Sequence, residues 1–263
     1  MAKYFEMIRI RFLMMLAYRT NYYTGILIYA INIGAYYFLW SAIYGDKQSI
    51  QGLSVSQMTT YIAVAWMARA FYFNNIDREM ALEIREGKVA VEFIRPYNYL
   101  VMKTMQGLGE GLFRLLLFSM PGMVIVTLLF PVSLSGKPET WLLFAVSVLL
   151  SFIINIQINL FTGILTFFLF NNDGLIRGKR LVIDLFSGLL LPISFYPEWA
   201  QTVMMYFPFQ AISYIPSMIF TEGFTGQEAW EALILQAVWA VILLLPIQLL
   251  WLKAKKQLIV QGG

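Results

Sequence analysis

The chain has no histidine and no cysteine among its 263 residues. That excludes the usual zinc ligand sets, the Ser-His-Asp and Cys-His catalytic arrangements and any disulfide framework. Charge is also scarce, at 13% of residues against about 25% in an ordinary soluble domain. A nucleotide cradle is missing. The pairs Gly87-Lys88, Gly136-Lys137 and Gly178-Lys179 lack a following Ser or Thr, and none has a Gly five residues ahead of it. A phosphate-binding loop needs that spacing to wrap its N–H groups around the phosphates, so any ATP used must be bound by another chain. No cleavable leader is readable either, because Arg9, Arg11 and Arg19 interrupt the apolar residues after Lys3.

What is present is apolar. Hydrophobic residues make up 59% of the chain and the mean hydropathy is +0.67, which points to an all-α integral membrane protein. A spanning helix needs about 20 mainly apolar residues. Six stretches qualify or come close: 23–44, 57–74, 112–131 (with 99–111 open to continuing it), 140–169, the short 181–195, and 232–252. Residues 1–22 read as a basic amphipathic helix on the membrane surface. Ile8, Phe12, Met15 and Leu16 share one face, and Arg9, Arg11 and Arg19 reach headgroups. The alternative is an extension of the first span. Residues 196–230 carry no base and are broken by Pro197, Pro208 and Pro216. They read as short helices dipping re-entrantly into the outer leaflet.

The bases set an orientation. Lys3, Arg9, Arg11 and Arg19, then Arg78, Arg85, Lys88, Arg95 and Lys103, then Arg177, Lys179 and Arg180, and finally Lys253, Lys255 and Lys256 all fall on one side of a six-span chain. Only Lys47 and Lys137 fall on the other. Positive-inside bias then predicts six spans within one domain, 1–263, with both termini cytoplasmic.

Three polar groupings stand out. Residues 77–86 form a short helix with Met80, Ala81 and Ile84 on one face, Asp77 and Glu79 in the first turn and Arg85 in the last, ended by Gly87. With Glu83, Glu86, Lys88 and Arg95, the segment 77–95 is either a site for docking a soluble partner or a solvated loop. Ser151, Asn155, Asn159, Thr162 and Thr166 lie on one face of the fourth span, where they line a path or hold helices together. Glu110 and Arg114 form an i,i+4 pair at the membrane edge, either structural or a proton relay, beside Gly107, Gly109 and Gly111, which permit close backbone contact or a bend. Arg69 is placed to snorkel, and Asp184 to pair with Arg180.

Together these features resemble the permease subunits of type-2 (ABC-2) ABC exporters. The stretches that carry the likeness are "EIREGKVAVEFIRPYNY" and "LLLPISFYPEWAQTVMMYFPFQAISYIPSMIF". The resemblance implies that Asp77, Glu79, Met80, Glu83, Ile84, Arg85, Glu86, Lys88 and Arg95 form a coupling segment that docks on a separate ABC ATPase subunit. It implies a second permease chain, with a heterodimer modestly favoured over a homodimer, and ATP and Mg bound only by the ATPase. It also implies a bacterial plasma membrane location, no nucleic acid partner and no chemistry catalysed by this chain. The competing reading is a stand-alone secondary transporter, which would require internal repeats and a midplane ion site that the sequence does not display. A membrane enzyme ranks last. Substrate identity is not readable.

Overall fold

The computed structural model describes residues 2–17, 20–169 and 171–261. Arg19, part of the expected surface helix, lies outside them. Thirteen α-helices follow in order among the described residues: α1 Ala2–Ala17, α2 Thr20–Tyr44, α3 Val55–Tyr72, α4 Ile76–Arg85, α5 Val89–Phe93, α6 Tyr99–Arg114, α7 Met120–Leu129, α8 Pro138–Ile164, α9 Asp173–Phe186, α10 Glu198–Met205, α11 Tyr214–Phe220, α12 Gln227–Ile242 and α13 Leu244–Gln261. No strand occurs among the described residues.

Four helical stretches are long and apolar enough to cross a membrane: Thr24–Tyr44, Tyr99–Leu129, Pro138–Phe167 and Gln227–Gln257. The second joins α6 to α7 through a π turn, Leu115–Ser119. Pro121 has no N–H to offer the carbonyl four residues back, and the chain keeps its ladder by widening, with Met120 N–H donating to Leu115 O. The helical stretch therefore begins at Tyr99, so residues 99–111 continue the third expected stretch, with Asn98 accepting from the N–H groups of Leu100 and Val101 as its cap. Pro246 similarly separates α12 from α13 without ending the helical run.

The expected span 181–195 is not one helix. α9 stops at Phe186, and Gly188 adopts a left-handed φ of 80°. A Cβ at Gly188 would meet Tyr214 Cβ at 2.7 Å, so both the backbone conformation and the space require glycine. Beyond it, residues 196–230 hold α10 and α11 with a 3-10 turn, Pro208–Ala211, between them. Phe195 packs on Trp40 at the far end of α2. The 3-10 turn comes down to mid-bundle, where Ala211 O meets Ser151. α11 then climbs back, setting Phe220 against Trp141 and Phe144 near the start of α8.

α3 is less apolar than the four stretches because it faces protein. Tyr61 donates to Gly188 O at 2.5 Å, and Tyr72 shares a 2.5 Å hydrogen bond with Ser213. α8 is the central helix, with 56% of its most apolar window buried against 22–28% for the other three candidates.

α1 packs along α6, and this changes the role of its side chains. Ile8, Phe12, Met15 and Leu16 form the half-buried face against the protein, with Phe12 edge-on to Phe113. The apolar face left exposed is Phe5, Ile10, Leu13 and Met14. Arg11, expected to reach headgroups, turns inward instead. Close approach is possible because a Cβ at Gly109 would lie 2.4 Å from Ile8 O, and one at Gly111 would lie 2.4 Å from Phe71 O.

At the end of the bundle away from α4, Glu222 accepts from Lys137 and from the Ser135 hydroxyl, each at 2.7 Å. These bonds hold its carboxyl below the usual carboxylate range.

Two outcomes follow. Gly109→Val should force α1 off α6 and lower the unfolding midpoint in detergent, at a cost of about 1–3 kcal/mol. Gly178→Ala, with open space around its Cβ, should not. The Glu222 clasp contributes stability above the ordinary carboxyl pKa of 4.5 and loses it as pH falls through the lowered folded value. Hydrogen-exchange protection of residues 131–137, taken relative to the intrinsic rate at each pH, should fall in that acid range for the natural chain, and Glu222→Gln should remove that fall.

Candidate functional site: a clamped charged segment and its polar supports

α4 is short and strongly amphipathic. Asp77 and Glu79 occupy its first turn and Arg85 its last, so the charges suit the helix dipole. Glu86 closes it, and Gly87 leaves with a φ of 70°. Ile76, Met80 and Ala81 are buried. Met80 lies over Gly163 of α8, where a Cβ would come within 2.9 Å of its sulfur.

Ion pairs tie this helix to three neighbouring helices. Asp77, 1% exposed, pairs with Lys179 of α9 at 2.5 Å, and Lys179 also donates to Asn159 of α8. Glu79 pairs with Arg11 of α1. Glu83 accepts from Lys103 of α6 at 2.5 Å and from the Tyr99 hydroxyl at 2.7 Å. Arg85 faces Asp173 of α9 at 3.4 Å. Burial disfavours the charged Arg11 guanidinium, but Glu79 and Glu110 outweigh it and hold its pKa above the ordinary arginine value. α5 is tied by an aromatic stack, in which its Phe93 and Tyr99 of α6 lie against Trp251 of α13 at 5.2 and 5.5 Å.

The residues expected to meet a partner therefore divide. Asp77 and Met80 are buried inside the chain, and Ile84 is half-buried. Glu79, Glu83 and Arg85 hold internal partners. Glu86, Lys88 and Arg95 are exposed, and their pairs, Glu86–Lys88 at 2.5 Å and Glu92–Arg95 at 3.1 Å, are of the surface kind worth about 0–1 kcal/mol. Leu82, Val91 and Ile94 were not singled out from the sequence, yet they are the exposed apolar side chains of the segment, with Ile94 84% exposed. For Leu82 the signal was available, since it lies opposite the Met80–Ala81–Ile84 stripe on a helical wheel.

The fourth-span stripe is buried, and each member has partners. Asn155 donates to Tyr72 O at 2.8 Å, and Asn159 to Asn74 Oδ1 at 2.9 Å. Ser151 donates to Ser147 O at 2.9 Å and to Ala211 O at 3.1 Å. Thr162 bonds back to its own helix, and Thr166 accepts from Asn172 at 2.6 Å. Gln236 of α12, missed from the sequence, completes the set. It is fully buried, donates to Ala211 O at 2.7 Å and accepts from Ser147 at 2.9 Å. These amides reach backbone carbonyls that helix ends and a non-helical turn leave open.

Glu110 and Arg114 do pair, at 2.5 Å, and Arg11 joins them at 2.6 Å to make a triad. Arg114 also donates to Phe73 O at 2.9 Å, beyond the last turn of α3. Arg69 does not snorkel. It forms two hydrogen bonds to Asp184. Arg180, the expected partner of Asp184, donates instead to Asn75 Oδ1 at 2.9 Å. Chain distance within one helix favoured the local pair, but the packing of α9 against the end of α3 decided otherwise.

The fold and site define a multi-pass helical membrane protein that carries a charged segment clamped to the bundle at one end. Residues 30–262 match the family described as ABC-2 family transporter protein, and the chain belongs to that family. It is the membrane component of an ABC transporter, a class that works in general with an ATPase partner. A search of curated proteins finds no match.

Lys179→Met should be severely destabilising, since it leaves Asp77 charged and buried with no cation, a loss of about 3–5 kcal/mol. Thermal unfolding in detergent should show the midpoint falling and then recovering by more than half in Asp77→Asn/Lys179→Met. Additive losses in the double variant would mean that the pair does not couple α4 to α9.

Proposed function

We propose that the chain is the permease subunit of an ATP-driven exporter, and that the α4–α5 segment docks on a separate ATPase. The observation that carries this reading is the two-sided character of the segment. The inner face, with Asp77 buried against Lys179, sits on the bundle, Glu79, Glu83 and Arg85 brace the flanks of α4 to α1, α6 and α9, and the outer side presents Leu82, Val91, Ile94, Lys88 and Arg95. A segment joined to its bundle by one buried and three partly exposed charge pairs moves with that bundle, so a pull on its outer side reaches α1, α6 and α9 together.

In this reading the chain crosses the membrane six times with both termini cytoplasmic. Four passes are the long apolar stretches, the fifth is α3, and the last runs through α9 and the broken segment after it. The alternation of basic segments supports that count. Two such permeases pair, with a heterodimer modestly favoured, around a path closed at the outer side by α10 and α11, in a bacterial plasma membrane. ATP and Mg sit on the ATPase, and this chain supplies pathway and coupling.

Leu82→Asp with Ile94→Asp should leave insertion and the unfolding midpoint unchanged while lowering transport-stimulated ATP hydrolysis at least tenfold and releasing the ATPase on gentle purification. An intact complex with normal stimulation would sink the docking role. Absence of any P-loop protein from the natural complex would favour a carrier that works alone.

A further inference from the structure

A pocket of about 280 Å³ opens between the first turns of α2, the last turns of α3 and the junction of α6 with the π turn. Its apolar wall is made by Ile28, Tyr29, Phe73 and Phe118. Its polar groups are Arg69, Arg114, Trp66 and Asn32. Three of these have unused capacity. The Trp66 indole N–H and the Arg114 Nε are buried without a hydrogen-bond partner, and the Asn32 amide makes no bond among the described residues. Buried polar groups without partners are rare in folded chains and point to something missing beside them.

The charge around the pocket has a sign. The guanidiniums of Arg69, Arg114 and Arg180 surround the Phe73 ring at 5.0, 5.4 and 5.0 Å. Asp184 neutralises Arg69, and Glu110 is shared between Arg114 and Arg11, which also holds Glu79. Arg180 has only the neutral Asn75. Four guanidiniums thus face three carboxylates, and the one in excess, Arg180, lies across the Phe73 ring from the pocket and is not part of its lining. The α2 wall of the pocket lies in the first turns of the stretch Thr24–Tyr44.

We infer that this pocket binds the anionic, acceptor-rich head of a membrane amphiphile, a phosphodiester lipid or a molecule of that chemistry, with its chain along Ile28 and Phe118. An acceptor group uses the Trp66, Arg114 and Asn32 donors at once, and its charge balances the excess cation. A zwitterionic head offers the same acceptors without that net charge, so the site selects for charge. The inference requires only membrane placement and is independent of ATPase docking.

The test uses the purified full chain, without an ATPase, in nanodiscs of equal phosphatidylglycerol and phosphatidylcholine, with native mass spectrometry of the retained lipid. The natural chain should retain phosphatidylglycerol at least fivefold over phosphatidylcholine. Trp66→Phe with Asn32→Leu, which leaves every ion pair in place, should lower the amount of phosphatidylglycerol retained at least fivefold at an unchanged unfolding midpoint. Trp66→Phe alone, expected to lower that amount partway, replaces the double variant if that fails to fold. Equal retention of the two lipids by the natural chain overturns the inference, as does undiminished phosphatidylglycerol retention in the folded variant. Displacement of the lipid by millimolar inorganic phosphate also overturns it, since the site would then take a free anion and have no use for a chain.

Discussion

The structure depends on how a helical membrane chain satisfies backbone groups where its helices stop inside the bundle. With no water at that depth, an open carbonyl needs a protein donor or carries a large desolvation cost. α3 stops at Tyr72, and Tyr72 O and Phe73 O receive Asn155, Asn74 and Arg114. The 3-10 turn at Pro208–Ala211 comes to mid-bundle, and Ala211 O receives Gln236 and Ser151. The polar face of α8 is therefore the reason that α3 can end, and the segment after α9 can break, within the bundle. The central position of α8 follows from the same fact, because a face of Ser, Asn and Thr cannot be turned to lipid.

Charge is arranged on a second principle. Few ionisable residues are available, and most of those near α4 are spent on one another. Asp77, Glu79, Glu83 and Arg85 bind α4 to α1, α6 and α9, and Met80 inserts over Gly163. The buried pair of Asp77 and Lys179 adds little net stability compared with apolar packing, but it is costly to break singly, which makes the attachment stiff. The far side is left with apolar side chains and solvated ions, a composition suited to a partner. α1 is part of this device through Arg11, which reaches Glu79 and Glu110 from a helix that a linear reading assigns to the lipid surface.

Several of these features could be read along the chain. The α4 helix, its dipole-matched charges and its end at Gly87 follow from residues a few positions apart, because capping and i,i+4 spacing are local. The i,i+4 pair of Glu110 and Arg114 is local in the same way. The glycines at 109 and 111 could be flagged, though not which backbone they admit. Arg69 with Asp184 could not be foreseen, since the partners are 115 positions apart and Arg180 offered a nearer match. Met80 and Leu82 show the limit most clearly. The wheel separates them, but only packing tells which face is turned to the protein.

By itself, the sequence determined a helical membrane protein and a capped amphipathic helix between its apolar runs, because hydropathy, capping and charge spacing are properties of neighbours in the chain. The tertiary structure alone decided that α1 lies on α6, that the chain beyond Gly188 breaks instead of crossing as one helix, and that Asp77 is buried against Lys179 while Ile94 stands free. Those outcomes rest on which helices approach closely enough to exclude solvent and exchange partners, a quantity no window of residues contains.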